Sequence, residues 1–389
     1  MKILFVVSDF NTGGITSSLK NLTNELVNRG HSIDILNLPK YNQLPKGFNS
    51  KINLIDINGI AKYWDISAES IRKTKGFGKV KLIFIGAIKK ICNKLGIWNK
   101  IIFRKLKLLS NYDLSIGFRQ GPVDYYVASK KVISNKCVGF WHVDPDYTGD
   151  TSSWDKCLYD MDVIAGVSNA TCEGLLKHYP KLRGKIKTVY NMFDKEEIVK
   201  RGKTTDYLYD NNDFNIVTVA RIDFELQKNL QRVPEICNKL RLDGYKIHWT
   251  IVGDGPKYNE LQNIIDKTNL INYVTLVGEK NNPYPYINQA DLFVLTSSWE
   301  SYGMVVMESL ILGTPVVSGD YPALVEILDD KYGIRAKNSV EGIYKSIKFL
   351  LENKDVYNEM KNNCENYNYT TDEAYSQFSL LNGDYNDKI

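Results

Sequence analysis

Metal-ligating side chains are scarce in this chain, which has four histidines and six cysteines among 389 residues. His31, His142, His178 and His248 lie far apart, and Cys92, Cys137, Cys157, Cys172, Cys237 and Cys364 are never closer than fifteen positions. Such spacing offers no zinc clip and no redox Cys-x-x-Cys, so we expect no metal, and a reduced, cytosolic protein. Long apolar runs are missing too. None approaches the roughly 18 residues of a membrane-spanning helix, and the run Ile3 to Val7 is too short for the apolar core of a signal peptide.

Acidic residues are absent from one stretch, 70–112, which holds twelve Lys and Arg. The rest of the chain has 38 basic and 45 acidic residues, so the net charge of +5 belongs to this patch alone. It is interleaved with Leu82, Ile83, Phe84, Ile85, Ile88, Ile91, Leu95, Ile97, Trp98, Ile101, Ile102 and Phe103. That mixture argues against a nucleic-acid surface. It suits an anionic membrane surface, or helices packed on a sheet with their lysines in water.

What is present is ordinary for a globular chain, with 43% hydrophobic and 24% charged residues and length enough for two domains. Ile3 to Ser8 reads as a buried strand, Asn11-Thr12-Gly13-Gly14 as a turn, and 17–29 as a helix with Leu19, Leu22, Leu26 and Val27 at helical spacing. Gly30 stops that helix, and Ile33-Asp34-Ile35-Leu36 resumes as a strand. Further strand-like runs at 114–117, 137–141 and 163–167 predict a parallel doubly wound sheet.

Residues 195–213 are charged and irregular, which places a linker there. The pattern then restarts, with strands at 216–220, 247–252, 274–277, 292–295 and 315–317 and helices at 230–242, 258–267 and 304–312. The expected domains are 1–195 and 196–360, followed by a helical tail, 361–389, that packs back on the first domain. Ligands of such sheets bind beyond the carboxyl ends of the strands, so the cleft between the two domains is the expected active site.

The most informative segment runs from Thr296 through Ser297-Ser298-Trp299-Glu300-Ser301-Tyr302-Gly303-Met304 to Glu308, closing with Gly313-Thr314-Pro315-Val316-Val317. A strand ends, Gly303 lets backbone approach a ligand, and a helix opens whose amides attract phosphate. Carboxylates at Glu300 and Glu308 can each accept hydrogen bonds from vicinal sugar hydroxyls.

This segment resembles the retaining nucleotide-sugar glycosyltransferases of family 4, which have the GT-B fold of two doubly wound Rossmann-like domains facing a central cleft. The resemblance extends to Val219-Ala220-Arg221-Ile222-Asp223 with Lys228-Asn229, to Ile251-Val252-Gly253-Asp254-Gly255-Pro256, to Gly166-Val167-Ser168 and to Val189-Tyr190-Asn191-Met192. It implies that Arg221 and Lys228 grip the donor diphosphate, where two cations stabilise the leaving group without a metal. By the same resemblance Glu300 contacts the sugar hydroxyls, Glu308 the nucleotide ribose, and His142 positions the sugar beside its anomeric carbon.

Gly13, Gly14, Gly253, Ser301, Tyr302, Gly303 and Met304 complete the implied donor site, and 278–286 would select the base. Ser168 and Asn191 match strand ends near the domain junction. The sequence departs from the commonest family pattern at Ser301, where many relatives have glycine. Asp144-Pro145-Asp146 invites a divalent-metal reading, but a turn with solvated carboxylates is the expectation.

The implied activity is transfer of a sugar from a nucleotide diphosphate sugar, expected to be UDP-linked, to a hydroxyl of a glycan acceptor. A lipid-linked oligosaccharide of a bacterial surface polysaccharide is the acceptor class expected. The enzyme would then sit on the cytoplasmic face of the plasma membrane through 70–112, with no cofactor and no nucleic-acid partner. The alternatives are a same-fold sugar-nucleotide epimerase, which would need groups that move protons on the sugar ring, and a non-catalytic sugar-nucleotide-binding partner of another transferase. A dinucleotide oxidoreductase is disfavoured, because neither Gly13-Gly14 nor Gly253-Asp254-Gly255 completes Gly-x-Gly-x-x-Gly.

Overall fold

A computed structural model describes residues 1–10, 13–38, 43–56, 64, 71–72, 74–94, 97–104, 106, 108–148, 155–203, 208–209, 213–223 and 227–383. Asn11 and Thr12 of the first turn, Leu95, and parts of the basic stretch and of the expected linker lie outside the described residues. The chain forms two compact units. One holds Met1–Val167, Thr171–Met192 and Glu373–Ile389, and the other holds Ser168–Ala170 and Phe193–Asp372.

The first unit is built on strands β1 (Lys2–Val7), β2 (Ser32–Asn37), β3 (Asn53–Asp56), β4 (Leu109–Gly117), β5 (Val132–Trp141), β6 (Val163–Gly166) and β7 (Ile186–Thr188). They pair in the order β3-β2-β1-β4-β5-β6-β7, all parallel. Strand β1 shows why the sheet is buried on both faces. Ile3, Phe5 and Val7 enter one core with Leu19, Leu22 and Leu26 of the helix Gly14–Asn28, while Leu4 and Val6 enter the other with Tyr125 and Trp141. Each fully buried side chain of this size stabilises by roughly 1.5–3 kcal/mol relative to exposure, so a run without alternating polarity can only be a central strand.

The second unit repeats the plan with β8 (Phe214–Val219), β9 (Ile247–Val252), β10 (Val274–Leu276), β11 (Leu292–Leu295), β12 (Val316–Gly319) and β13 (Gly333–Ala336). Their order is β10-β9-β8-β11-β12-β13, again all parallel. In each sheet the strand order reverses beside the first strand, between β1 and β4 and between β8 and β11. A crevice opens at the carboxyl ends of strands where the connections diverge in this way.

Three strands escaped the sequence reading. Strands β3, β7 and β13 lie at sheet edges and have three or four residues each, too few for a periodic signal. The stretch read as irregular from 195 opens instead with the helix Lys195–Gly202. Asp194 caps it, its Oδ1 accepting the Glu197 amide at 2.9 Å. Charged composition concealed an amphipathic turn that buries only Ile198 and Gly202.

Near the C-terminus the helices Val340–Glu352 and Lys354–Glu365 belong to the second unit, and the helix Asp372–Ser379 runs into the first. Ala374, Phe378 and Leu381 join the first core. Gln377 Oε1 accepts the Tyr190 amide at 2.9 Å, and the Tyr375 hydroxyl meets His31 Nε2 at 2.9 Å. No helix among the described residues is long and apolar enough to cross a membrane.

Candidate functional site

The crevice of the second unit collects the residues after β8, β9 and β11. Beyond β8, Ala220 to Asp223 runs beside the turn after β9. Ile222 donates its amide to Asp254 O at 2.9 Å and accepts that of Lys257 at 3.1 Å. Gly253 makes this fit possible. Its φ is +154°, and a Cβ there would lie 1.9 Å from the Ala220 carbonyl oxygen, which no side chain could tolerate. Arg221 is thereby held by its backbone at the strand end while its side chain stays 70% exposed, with Nε 3.5 Å from Asp223 Oδ2.

Beyond β11, Thr296 to Gly303 lies across the segment 227–232. Ser298 donates its amide to Gln227 O at 2.7 Å, and Thr296 Oγ1 donates to Lys228 O at 2.7 Å. This zipper brings Lys228 Nζ to 2.5 Å from Glu300 Oε1. Ser297 Oγ donates to the same oxygen at 2.7 Å and Gln227 Nε2 to Oε2 at 3.3 Å. The pair is mostly sheltered, at 21% exposure for the lysine side chain and 10% for the glutamate. A cation and a carboxylate are thus fixed side by side where the strand order reverses.

Gly303 follows at φ +96° and ψ 53°, the left-handed region, and caps the helix Met304–Ile311 with no side chain serving its first amides. A Cβ at Gly303 would stand 2.8 Å from the Tyr321 hydroxyl and 3.1 Å from Ile327 Cδ1. Tyr321 is itself buried, and burial, with the Glu300 charge adding, pushes its phenol well above the usual range. The result is a helix N-terminus presented to the same crevice, an arrangement that favours anions. Tyr302 is buried and stacks on Phe193, with centroids 6.3 Å apart. Ser301 accepts at its carbonyl from Ser168 Oγ at 2.7 Å, within the same unit.

Glu308 lies in the body of that helix and is 9% exposed. The Tyr284 hydroxyl donates to its Oε1 at 3.3 Å, and the Arg201 guanidinium sits 4.9 Å from the Tyr284 ring centroid. Burial raises the Tyr284 phenol far above its ordinary value, with the Glu308 charge second, so this tyrosine is a fixed donor.

Sequence reasoning missed a brace behind the Glu300 loop. Asn338 Nδ2 donates to Ser297 O and Ser298 O, each at 3.1 Å, and to Asp320 O at 3.2 Å, while its Oδ1 accepts from Arg232 Nη1 at 2.6 Å. Arg232 Nη1 also reaches Thr296 O at 3.3 Å, and Asn229 Nδ2 donates to Ser298 Oγ. Asn229 takes φ +49°, which asparagine tolerates better than most residues. Polar residues in short connections carry no periodic signal. Only Lys228-Asn229, already singled out for its lysine, could have pointed here.

His142 and the glycine pair belong to the first unit. His142 follows β5 and is 7% exposed, its ring centroid 4.5 Å from Phe118 and 5.8 Å from Phe140. Its Nε2 is 2.9 Å from the Phe118 carbonyl oxygen. A carbonyl only accepts, so Nε2 carries the hydrogen, and in the neutral ring Nδ1 can only accept. Burial pushes the imidazole down to about 3, which keeps it neutral. Gly13 caps the helix Gly14–Asn28 at φ +145°, its carbonyl accepting the Ser17 amide at 3.1 Å. Asn191 pairs with Ser18 in the same unit.

In the Asp-x-Asp, Asp144 Oδ1 accepts the Asp146 amide at 3.0 Å. Asp146 is engaged by Lys177 at 3.0 Å and His178 at 2.5 Å. Both carboxylates therefore have local work in the turn.

Comparison with known proteins bears on this arrangement. Residues 203–369 match the family model of glycosyl transferases group 1. An uncharacterised glycosyltransferase of Methanocaldococcus jannaschii is 30% identical over 168 residues, covering 41% of this chain and 40% of the relative. The N-acetylgalactosamine-N,N'-diacetylbacillosaminyl-diphospho-undecaprenol 4-alpha-N-acetylgalactosaminyltransferase of Campylobacter jejuni is 27% identical over 207 residues, covering 52% of this chain and 54% of the relative. The chain thus spans about half the length of these curated relatives.

Among solved structures, S. aureus TarM in complex with fondaparinux, alpha-GlcNAc-glycerol and UDP superposes with a TM-score of 0.71 at 14% identity, covering 98% of this chain and all of that one. Anabaena HepE with UDP and glucose gives 0.62 at 15%, covering 98% and 97%. The match to glycosyl transferases group 1 thus lies in the second unit, and the two parallel-sheet, Rossmann-like units have the GT-B fold of these structures.

Proposed function

We propose that the protein is a retaining glycosyltransferase that moves a sugar from a nucleotide diphosphate sugar to a hydroxyl of a glycan acceptor. The observation that carries this reading is the meeting of Lys228, Glu300 and the Gly303-led helix at the carboxyl ends of β8 and β11. The diphosphate lies against the helix amides and Lys228, with Arg221 free to swing onto its outer oxygens. Glu300 accepts from the sugar hydroxyls, and Glu308 from the ribose. Charge growing on the departing phosphate is stabilised by positions that need no rearrangement, which is where most electrostatic catalysis originates.

Retention follows if the acceptor hydroxyl attacks the face from which the diphosphate leaves. The bond from the anomeric carbon to the acceptor oxygen forms, the bond to the phosphate oxygen breaks, and the hydroxyl proton passes to that phosphate. No protein base is assigned. Protein cations serve the leaving group in place of a metal. His142, neutral with an accepting Nδ1, suits a hydrogen bond from a sugar hydroxyl but not general-acid work at neutral pH.

UDP is the favoured nucleotide because the similar structures of TarM and HepE hold it. A lipid-linked glycan of a bacterial surface polysaccharide is the favoured acceptor, since the C. jejuni relative is named for an undecaprenol-diphosphate substrate.

The test is a panel of nucleotide sugars screened for thermal stabilisation, which mass action makes a direct readout of binding, followed by nucleotide release with and without acceptor. Stabilisation by one UDP-sugar, with release accelerated by acceptor in the presence of a chelator, is the expected result. Turnover abolished by the chelator, or turnover left intact in Lys228→Met, overturns the reading.

A further inference from the structure

The helix Phe77–Lys94 buries one side only. Ile85, Ile88 and Cys92 pack into the first unit's core beside Leu36, Leu38, Trp98, Ile102 and Phe103. On the other side Val80 is 65% exposed, Ile83 51%, Phe84 67% and Ile91 61%. With exposed Ala87 these residues follow the spacing i, i+3, i+4, i+7, i+11 from Val80 to Ile91, one stripe roughly 100° wide on a helix of 3.6 residues per turn. The same helical geometry puts Lys79 and Lys90 along one border, both exposed. Arg72, Lys75, Lys100 and Arg104 are exposed nearby, and no acidic residue occurs between 70 and 112.

We propose that this stripe docks the first unit on an anionic lipid surface, with Phe84 and Ile91 entering the boundary between headgroups and acyl chains and the bordering lysines meeting lipid phosphates. Other occupants use only part of the surface. A nucleic acid would engage the lysines and leave Val80, Phe84 and Ile91 in water. An apolar groove on a protein would take the stripe but would not call for a row of cations along its border in a stretch without a single carboxylate. A lipid interface supplies both chemistries in one plane. The helix's own two-faced composition carries the inference, which stands whichever sugar is transferred.

The test uses the full chain floated with vesicles of phosphatidylglycerol and phosphatidylcholine, or of phosphatidylcholine alone. Binding to the anionic vesicles is expected to be at least about tenfold tighter, and to fall at least about tenfold in Val80→Ser/Phe84→Ser/Ile91→Ser and several-fold in Lys79→Gln/Lys90→Gln. All five side chains are exposed, so the melting temperature and stabilisation by nucleotide should stay at the parent's values, which separates lost docking from lost folding. Equal binding to both vesicle types, no binding, or binding unmoved by both variants overturns the proposal. So does a dimer in light scattering that the serine variant dissociates, or RNA binding that the glutamine variant abolishes while vesicles are ignored.

Discussion

Lys228 and Glu300 lie 72 positions apart in sequence and meet at 2.5 Å, the ammonium on a carboxylate oxygen that also receives Ser297. Neither residue is reached by chance, because the backbone zipper of Gln227 and Lys228 with Thr296 and Ser298 sets the separation before the side chains act. Removing the lysine leaves a sheltered carboxylate without its cation. Lys228→Met is therefore expected to lower kcat/KM by about 100-fold or more, and Glu300→Gln by a similar factor. The double variant should lose much less than the product of the two, because residues in contact couple. Steady-state kinetics on the four proteins check this.

Arg221 behaves differently because its side chain is exposed. Arg221→Ala should leave stability within about 0.5 kcal/mol of the parent and raise the donor KM about tenfold. Calorimetry beside donor titrations separates the two effects.

Asn338 holds three carbonyls and Arg232. Asn338→Ala strands these groups and should cost about 1–3 kcal/mol, together with a fall in kcat. Asn338→Asp keeps an acceptor for Arg232 but loses the amide donors. Stability should partly return while kcat stays low, and urea denaturation with kinetics reads both.

Gly303 needs its left-handed backbone. Gly303→Ala should destabilise by at least about 1–2 kcal/mol from φ alone, with more from the 2.8 Å approach to Tyr321. Thermal melts measure it, and nucleotide stabilisation should weaken in parallel, since the helix amides shift with the turn.

Asp124 provides a pH test. It is fully buried, its Oδ2 accepts the Arg119 amide at 3.1 Å, and burial pushes its carboxyl up to about 7. A folded-state value above the unfolded one means the native state holds the proton longer. Stability is then fullest below the unfolded value near 4 and declines as pH rises toward 7. Asp124→Asn should remove that decline, melting higher than the parent at pH 8 and showing no gain at pH 4.

The legible parts of this protein were those with redundancy in the sequence. Strand β1 announced itself because five consecutive residues serve two cores, and the Glu300 to Pro315 segment because strand, turn and helix leave their marks in order. The edge strands β3, β7 and β13 did not, since three or four residues carry no period. Proximity of Lys228 to Glu300 was unreadable in principle, because it depends on β8 and β11, two strands separated in sequence by β9 and β10, lying side by side. The Asn338 brace was unreadable for a related reason. Its partners are backbone carbonyls, which every sequence has.

The basic stretch was read as one patch, whereas the structure sorts it residue by residue. Ile85, Ile88, Trp98, Ile102 and Phe103 pack inward, while Val80, Phe84 and Ile91 do not. Composition supplies the charge, and only the helix phase divides the apolar residues between the two sides.

The last helix has a practical meaning for anyone trimming this chain. The family match stops at 369, yet Ala374, Phe378 and Leu381 plug the core formed by the opening residues. Cutting at the homology boundary would spare the half that carries the match and unseat the half that does not. Residues 373–381 must therefore stay with residues 1–192 if the first core is to close.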